Sequence, residues 1–564
     1  MASTGIDAGQ NAFGRLGRNS NAWVIGPIAV AGLVAFPVLV VLANVLTPAG
    51  EVWRHLVDTV LWRYVGNTIW LGLGVGLGTL VIGGGMAWLC SMCRFPGRSI
   101  FEWALLLPLA VPTYAIAFTY AGMFEFAGPV QSALREWFDW GRRDYWFPDV
   151  RSLSGAITVM TLVLYPYVYL LARAAFLNQS VCALEIGRTL GRGPWQSFFG
   201  IALPLARPAL VGGMSLALME ALSDFGTVQY YGVDTFTTGI YRTWFALGDA
   251  SAAAQLAAIL LLFVAALVLG EQWSRGRAQY HHTTNRYRPL PSYRLRGWQA
   301  ALAFLACASV LGLGFVLPAA QLGAWTIETW HETVDTRFAG LAWNSFRLAA
   351  ITAILAVLVT LLVAYAVRLG AGPIGKTAKR VASLGYAVPG SVIAVGVMLP
   401  FAWLDTAIDD FARAQFGVST GLLLTGGLAA LVFAYLVRFL AVSLNAVDTA
   451  LGKVTPSMDG AARTLGAGPG RVLWHVHVPI IRAGLLTAGL LVFVDVMKEL
   501  PATLIMRPFD FNTLAVRAYE LASDELLAES ASAALAIVAV GIIPVIVLSK
   551  AITRARPGPP PAMP

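Results

Sequence analysis

Charge is scarce in this 564-residue chain: Asp, Glu, Lys and Arg together make up 12% of it, about half of what a soluble domain carries. That scarcity excludes a core wrapped in a water-facing polar shell. With 57% hydrophobic residues and a mean hydropathy of +0.69, the core must face lipid. Cysteine is nearly missing too. Cys90, Cys93, Cys182 and Cys307 are too few for a disulfide framework in a chain this long. Cys90 and Cys93 form a CxxC without a second pair, at the end of an apolar run, so ordinary packing outweighs a redox or metal role. His281-His282 stand alone in a polar stretch and read as solvated loop. No nucleophile–base constellation occurs in a soluble segment, so no catalytic site is expected. No cleavable signal is evident: residues 1–22 are polar, and the run after them is longer than the roughly 7–15 residues of a signal-peptide core.

A spanning helix needs about 20 apolar residues. Twelve runs qualify: 23–47, 67–91, 101–124, 152–176, 200–222, 251–270, 299–322, 345–368, 381–404, 420–446, 479–500 and 532–552. Acidic residues interrupt the far ends of the fifth and eleventh. None alternates at every second residue as a barrel strand does. The fold expected is an all-α polytopic membrane protein of about twelve transmembrane helices. Cytoplasmic termini place Arg94 and Arg98, Arg188 and Arg192, Lys376, Lys379 and Arg380, and Lys453, Arg463 and Arg471 on one side. Glu328, Glu332, Asp405, Asp409, Asp410, Glu520, Asp524 and Glu525 lie on the other. This positive-inside pattern accounts for the net charge of +9 and leaves nucleic-acid binding without support. Trp53, Trp62, Trp137 and Trp140 suit an interfacial belt.

The chain repeats itself. NTIWLGLGVGLGTLVIGGGMAWLC from Asn67 answers NSFRLAAITAILAVLVTLLVAYAVR from Asn344, an offset of 277 that Val111-Pro112 and Val388-Pro389 keep. EIGRTLGRGPWQSFFGIALP from Glu185 answers GAARTLGAGPGRVLWHVHVP from Gly460, an offset of 275. The organisation expected is a cytoplasmic tail (1–22), a first six-span half (23–270), an Arg- and Tyr-rich linker (271–298), a second half (299–552) and a second tail (553–564). Six spans per half is an even number, so the two repeats run parallel, about an axis along the membrane normal.

Between the fourth and fifth spans of each half lies an R-T-L-G stretch, then nine residues, then a segment ending in Pro204 or Pro479. It reads as a short amphipathic helix on the membrane face, turned at Gly191 or Gly466, and suited to a groove on a partner protein. The plainer alternative is an interfacial helix joining two spans.

These stretches resemble the EAA loop of ABC-importer permeases, E-A-A-x3-G-x9-I-x-L-P. The first copy has Glu185, Ile186 and Gly187, then Gly191, Ile201, Leu203 and Pro204, and the second has Gly460, Ala461 and Ala462, then Gly466, Val476, Val478 and Pro479, with Arg188 and Arg463 opening the shared R-T-L-G. The second copy has Gly460 where the family usually has Glu, with Asp459 beside it. The resemblance implies that each loop couples to a cytoplasmic ATPase. Two halves fused in one chain, with SDFGTVQYYGVDTFTTGIYRTWF from Ser223 and MKELPATLIMRPFDFNTLAVRAYELASDE from Met497, resemble the iron(III) importer permeases. Thiamine and aminoethylphosphonate permeases are the neighbouring alternatives. What this implies is a bacterial inner-membrane protein importing ferric iron by alternating access. It would work with two ATPase subunits that bind ATP and Mg, and with a periplasmic binding protein. An ion-driven secondary transporter also has duplicated six-span halves, but has no reason to carry two EAA loops.

Gly370-Ala-Gly-Pro-Ile-Gly-Lys376-Thr377 satisfies the phosphate-loop pattern G-x4-G-K-[ST]. A phosphate loop needs a preceding buried strand, whereas here the preceding run is long enough to span, so the stretch reads as a basic cytoplasmic turn. Acids beside spans are the candidates for the pathway, since charge in lipid is costly. Glu220 and Asp224 close the fifth run, and Asp495, Lys498 and Glu499 close the eleventh. The offset of 275 maps Glu220 onto Asp495 and Asp224 onto Glu499. Each pair is spaced i, i+4 and so shares one helix face. Such oxygen ligands suit a hard cation, with Glu220 and Asp495 as the candidate metal contacts and Tyr230 and Tyr231 assisting. The alternative is a structural pair in which Lys498 neutralises Asp495 or Glu499.

Overall fold

The structure, a computed structural model, describes residues 7–48, 50–177, 194–275 and 293–554. Among these residues eleven helices are long and apolar enough to cross a bilayer, and a helix pair bent by 92° makes a twelfth when counted as one span. We number them span 1 (Trp23–Leu46), span 2 (Leu61–Met92), span 3 (the pair Arg98–Ala110 and Thr113–Phe138), span 4 (Leu153–Leu177), span 5 (Phe198–Ser223) and span 6 (Ala250–Ser274). Span 7 is Trp298–Glu328, span 8 Thr336–Arg368, span 9 Gly390–Phe416, span 10 Leu428–Leu451, span 11 Pro469–Met497 and span 12 Leu527–Val547. The architecture is all-α, and the strands among the described residues are two-residue pieces, Cys93–Arg94 lying parallel to Tyr293–Arg294.

Two spans depart from the apolar runs for reasons of backbone chemistry. Proline lacks an N–H and pushes the preceding residue out of the helical region. Val111 and Pro112 are accordingly extended and the helix restarts at Thr113, which bends span 3. Val388 and Pro389 repeat this, so span 9 begins at Gly390 and the start of the 381–404 run belongs to the short helix Gly372–Ala382 and a 3-10 turn. The run at 420–446 also begins as loop. Asp405 accepts N–H bonds from Leu423, Leu424 and Thr425 at 3.1, 2.8 and 2.8 Å, holding the chain away from a helix until Leu428. Hydropathy alone cannot separate an anchored apolar loop from a helix.

The chain packs as two compact units that cut across the sequence repeat: Met1–Pro48 with Leu341–Thr513, and Ala49–Gly340 with Leu514–Pro564. In the first, span 1 packs on the helix Gly372–Ala382 and on span 9. The backbones approach so closely that a Cβ on Gly396 would lie 2.3 Å from the Pro37 carbonyl oxygen, the use that small residues have between spanning helices. Spans 8, 10 and 11 share a core that includes Leu361, Val447 and Ile481. In the second unit span 2 lies along span 4, span 5 packs on both, and span 12 packs on span 7. Trp88, Phe101, Tyr165 and Phe176 form its centre.

The duplication survives as register. π-helical turns occupy Phe198–Ala202 and Leu473–His477, and the helices after them start at Leu203 and Val478. Short helices then start at Gly226 and Pro501. Each of these starts keeps the offset of 275.

Candidate coupling loops and transport pathway

The second EAA-like stretch is a helix–turn–helix. Thr455 is extended, Pro456 opens a helix that runs to Thr464, and proline suits that first position because its missing N–H would be unpaired there. The helix stops at Gly466, whose φ of 78° lies in the left-handed region. The Gly466 N–H donates to Arg463 O at 2.9 Å and the Ala467 N–H to Ala462 O at 3.0 Å, the paired bonds of a glycine-terminated helix end. Span 11 begins three residues later and enters through its π-turn. Gly460 and Ala461 are exposed, and Leu465 is 88% exposed. The helix thus presents an open apolar end, with Arg463 beside it.

In the first EAA-like stretch, Glu185, Gly187, Arg188 and Gly191 lie outside the described residues. The structure resumes at Pro194 and reaches Pro204 through the π-turn, so the exit of this loop into span 5 matches the second copy. Trp88 packs there on Phe176 and Phe198, with ring centroids 5.6 and 4.8 Å apart.

Each half places its predicted acids differently from one another. Asp224 is buried and accepts hydrogen bonds from the Thr227 N–H at 2.8 Å, the Thr227 hydroxyl at 3.1 Å and the Thr113 hydroxyl. Glu499, its repeat counterpart, is also buried and accepts from the Ala502 and Thr503 amides at 3.0 Å each and from the Thr503 hydroxyl at 2.7 Å. Arg438 stands 3.4 Å from Glu499. Both carboxylates therefore secure the first turn of the short helices Gly226–Tyr230 and Pro501–Met506, as side-chain oxygens do at helix starts. Glu220 and Asp495 are half-buried, and Asp495 pairs with Lys498 at 2.9 Å. Among the described residues, no three His, Cys, Asp or Glu side chains gather as a metal site.

Tyr230 belongs to a cluster that sequence reasoning missed. Arg151, just before span 4, donates to both oxygens of Glu525 at 2.7 Å each, to the Tyr230 hydroxyl at 3.0 Å and to Glu125. Its guanidinium also lies over the Tyr230 ring, 4.5 Å from the centroid. The Arg151 bond holds the Glu525 carboxyl below its usual range, while burial pushes the Tyr230 phenol up. Tyr231 turns away and donates to Ala117 O at 3.1 Å. The four polar groups are scattered over 400 positions of sequence, and no spacing rule joins them.

The phosphate-loop look-alike is the turn between span 8 and the helix Gly372–Ala382, with Gly370 and Gly372 at positive φ. A spanning helix, not a strand, precedes it. No phosphate cradle forms there.

Eleven to twelve apolar spans with a duplicated register define a polytopic membrane protein. Residues 79–271 match the family described as binding-protein-dependent transport system inner membrane component, and the whole chain is similar to transport permeases of that kind. An Fe(3+)-transport system permease of Haemophilus influenzae is 27% identical over 92% of this chain and 96% of that protein. A ferric transport system permease of Actinobacillus pleuropneumoniae is 23% identical over 81% of this chain and 66% of its own length. The molybdenum transport system permease of Escherichia coli is 28% identical over 34% of this chain but 85% of itself, as expected where one half suffices for a relative.

Proposed function

We propose that this chain is the inner-membrane permease of a ferric-iron importer, with both termini in the cytoplasm. The observation that carries the reading is the likeness to iron(III) permeases across nearly the whole chain, in a fused form that the half-length molybdenum permease lacks. The basic loops on one side support the orientation. Two cytoplasmic ATPase subunits, which bind ATP and Mg, dock at Glu185–Pro204 and Gly460–Pro479, and a periplasmic protein delivers the ion. Closure of the ATPases moves both loops and alternates the opening of the path.

Within that reading the acids divide by role. Asp224 and Glu499 are spent on helix starts and keep the chain after spans 5 and 11 in shape. Glu220 and Asp495, half-buried at matching register positions, are the oxygen groups offered to a hard cation in transit. The test is energy-dependent uptake of radiolabelled ferric iron in cells without the chain, with it, and with Gly191→Asp plus Gly466→Asp. Uptake should require the chain and collapse in the glycine variant. Uptake indifferent to the chain moves the substrate to a phosphonate or thiamine and leaves the importer architecture intact.

A further inference from the structure

The second coupling helix is fastened to its unit by ion pairs, at positions whose counterparts in the first half are uncharged. Along Pro456–Thr464 most residues are exposed and none is buried. Only Asp459 and Ala462, one turn apart, are drawn inward. Asp459 meets two partners. Arg368 Nε, at the end of span 8, lies 2.9 Å from Oδ2, and His477 Nε2, at the end of the π-turn, lies 2.5 Å from Oδ1.

Each partner is itself fixed. Arg368 donates through its two terminal nitrogens to Leu451 O at 3.0 Å and Val454 O at 2.6 Å, the last carbonyls of span 10 and the turn after it. That is the arrangement expected of a cation at a helix C-terminus. His477 is fully buried, its ring lies edge-on to Tyr365 at 5.2 Å, and its Nδ1 has no hydrogen-bond partner. Its one polar link is therefore Asp459. Tyr365 in turn donates to Pro469 O at 2.6 Å, at the start of span 11. One carboxylate thus ties the helix to spans 8, 10 and 11. Burial opposes ionisation of Asp459, but the His477 and Arg368 bonds outweigh it and hold its carboxyl below the usual range.

The matching positions of the first half do not carry these groups. At the positions matching Asp459, Arg368 and His477 stand Leu184, Ser91 and Ala202. Ser91 Oγ is buried without a partner and Ala202 is fully buried among the aromatic rings around Trp88. We infer that Asp459, Arg368 and His477 are positioning residues that lock the second coupling helix to its spans, so that ATPase motion enters this half through a rigid joint. Asp459 thereby gives the second loop, which lacks the usual Glu at Gly460, a different role for its acid: an internal strut. The inference rests on the permease reading above.

The test uses the full chain in complex with its ATPase subunits in lipid nanodiscs, with loaded binding protein added. Asp459→Asn and His477→Leu should lower the stimulation of ATP hydrolysis by about tenfold, the scale of one charge-assisted hydrogen bond. Amide hydrogen exchange along Pro456–Thr464 should rise in both. His477→Gln, which keeps an N–H donor, should recover most of the stimulation. Arg368→Lys, which keeps a cation at the end of span 10 but cannot make all three bonds, should lose less than Asp459→Asn or His477→Leu, in case those assemble poorly. Normal stimulation and exchange in Asp459→Asn overturn the inference. Lost stimulation with unchanged exchange also overturns it, because Asp459 would then act on the ATPase directly. If the unaltered chain fails to hold an ATPase at all, the permease reading falls instead.

Discussion

Arg151 and Glu525, 374 positions apart, hold each other through two hydrogen bonds of 2.7 Å. The bond joins the entry of span 4 to the turn before span 12, where Glu525, at a φ of 61°, ends the helix Leu514–Ser523 through bonds from its own N–H to Ala522 O and from the Leu526 N–H to Leu521 O. A non-glycine residue there is strained by roughly 1 kcal/mol or more, which the two helix-end bonds and the Arg151 pair together offset. The Glu525 side chain is 56% exposed, and solvent screening limits the net contribution to about 1 kcal/mol.

Because the Arg151 bond lowers the folded-state pKa of Glu525, the unfolded chain binds this proton more readily. The contribution is present above the ordinary glutamate range and is lost as pH falls through the lowered folded value. Thermal unfolding in nanodiscs should show Glu525→Gln less stable than the unaltered chain at neutral pH, with the gap closing in acid. A gap that stays constant across that range would falsify the assignment to Glu525 ionisation.

Gly460 lies within the helix Pro456–Thr464 and Gly466 in the turn that ends it, and the two should respond oppositely to alanine. Gly466 sits at positive φ, where a Cβ costs roughly 1–2 kcal/mol. Gly460 is helical with open space around it, so alanine there should stabilise the helix by up to about 1 kcal/mol. Hydrogen exchange along Pro456–Thr464 should therefore speed up in Gly466→Ala and slow in Gly460→Ala. Equal responses would mean that the helix end is not held by the Gly466 turn.

Much of this was readable in advance, and what was not has definite causes. Long apolar runs and the 275 and 277 offsets are one-dimensional signals, so the spans and the duplication could be read from the chain. The break in span 3 was present as Val111-Pro112, but its hydropathy hid it. That span 1 packs with the helix Gly372–Ala382 and span 9 depends on contacts such as Gly396 against Pro37, more than 350 positions apart, for which no local pattern exists. Asp224 and Glu499 looked like pathway acids by spacing alone. Only the amides of Thr227 and Thr503 reveal what these carboxylates hold.

Those two carboxylates should differ in cost when neutralised. Glu499→Gln leaves Arg438 buried opposite a neutral group, and breaking such a buried pair costs about 3–5 kcal/mol. Asp224→Asn keeps an oxygen for the Thr227 amide and loses mainly the strength of a charged acceptor, about 1 kcal/mol. Unfolding midpoints of the two variants, measured side by side, should rank Glu499→Gln well below Asp224→Asn. The reverse order would mean that Arg438 does not depend on Glu499.

Glu220 and Asp495 remain as the acids whose neutralisation should affect transport more than folding. Both are half-buried, so Gln and Asn fit without a cavity and without stranding a deeply buried cation. Asp495 faces Lys498 at 2.9 Å, so Asp495→Asn adds net positive charge beside the proposed route of a cation. That variant should therefore slow initial ferric uptake more than Glu220→Gln. The double variant should lose about tenfold or more, equivalent to roughly 1.4 kcal/mol on the path. Co-purification with the ATPase should persist throughout, which separates a transport defect from failed assembly. Undiminished uptake by the double variant would remove both acids from the path and leave Asp495 as the structural partner of Lys498.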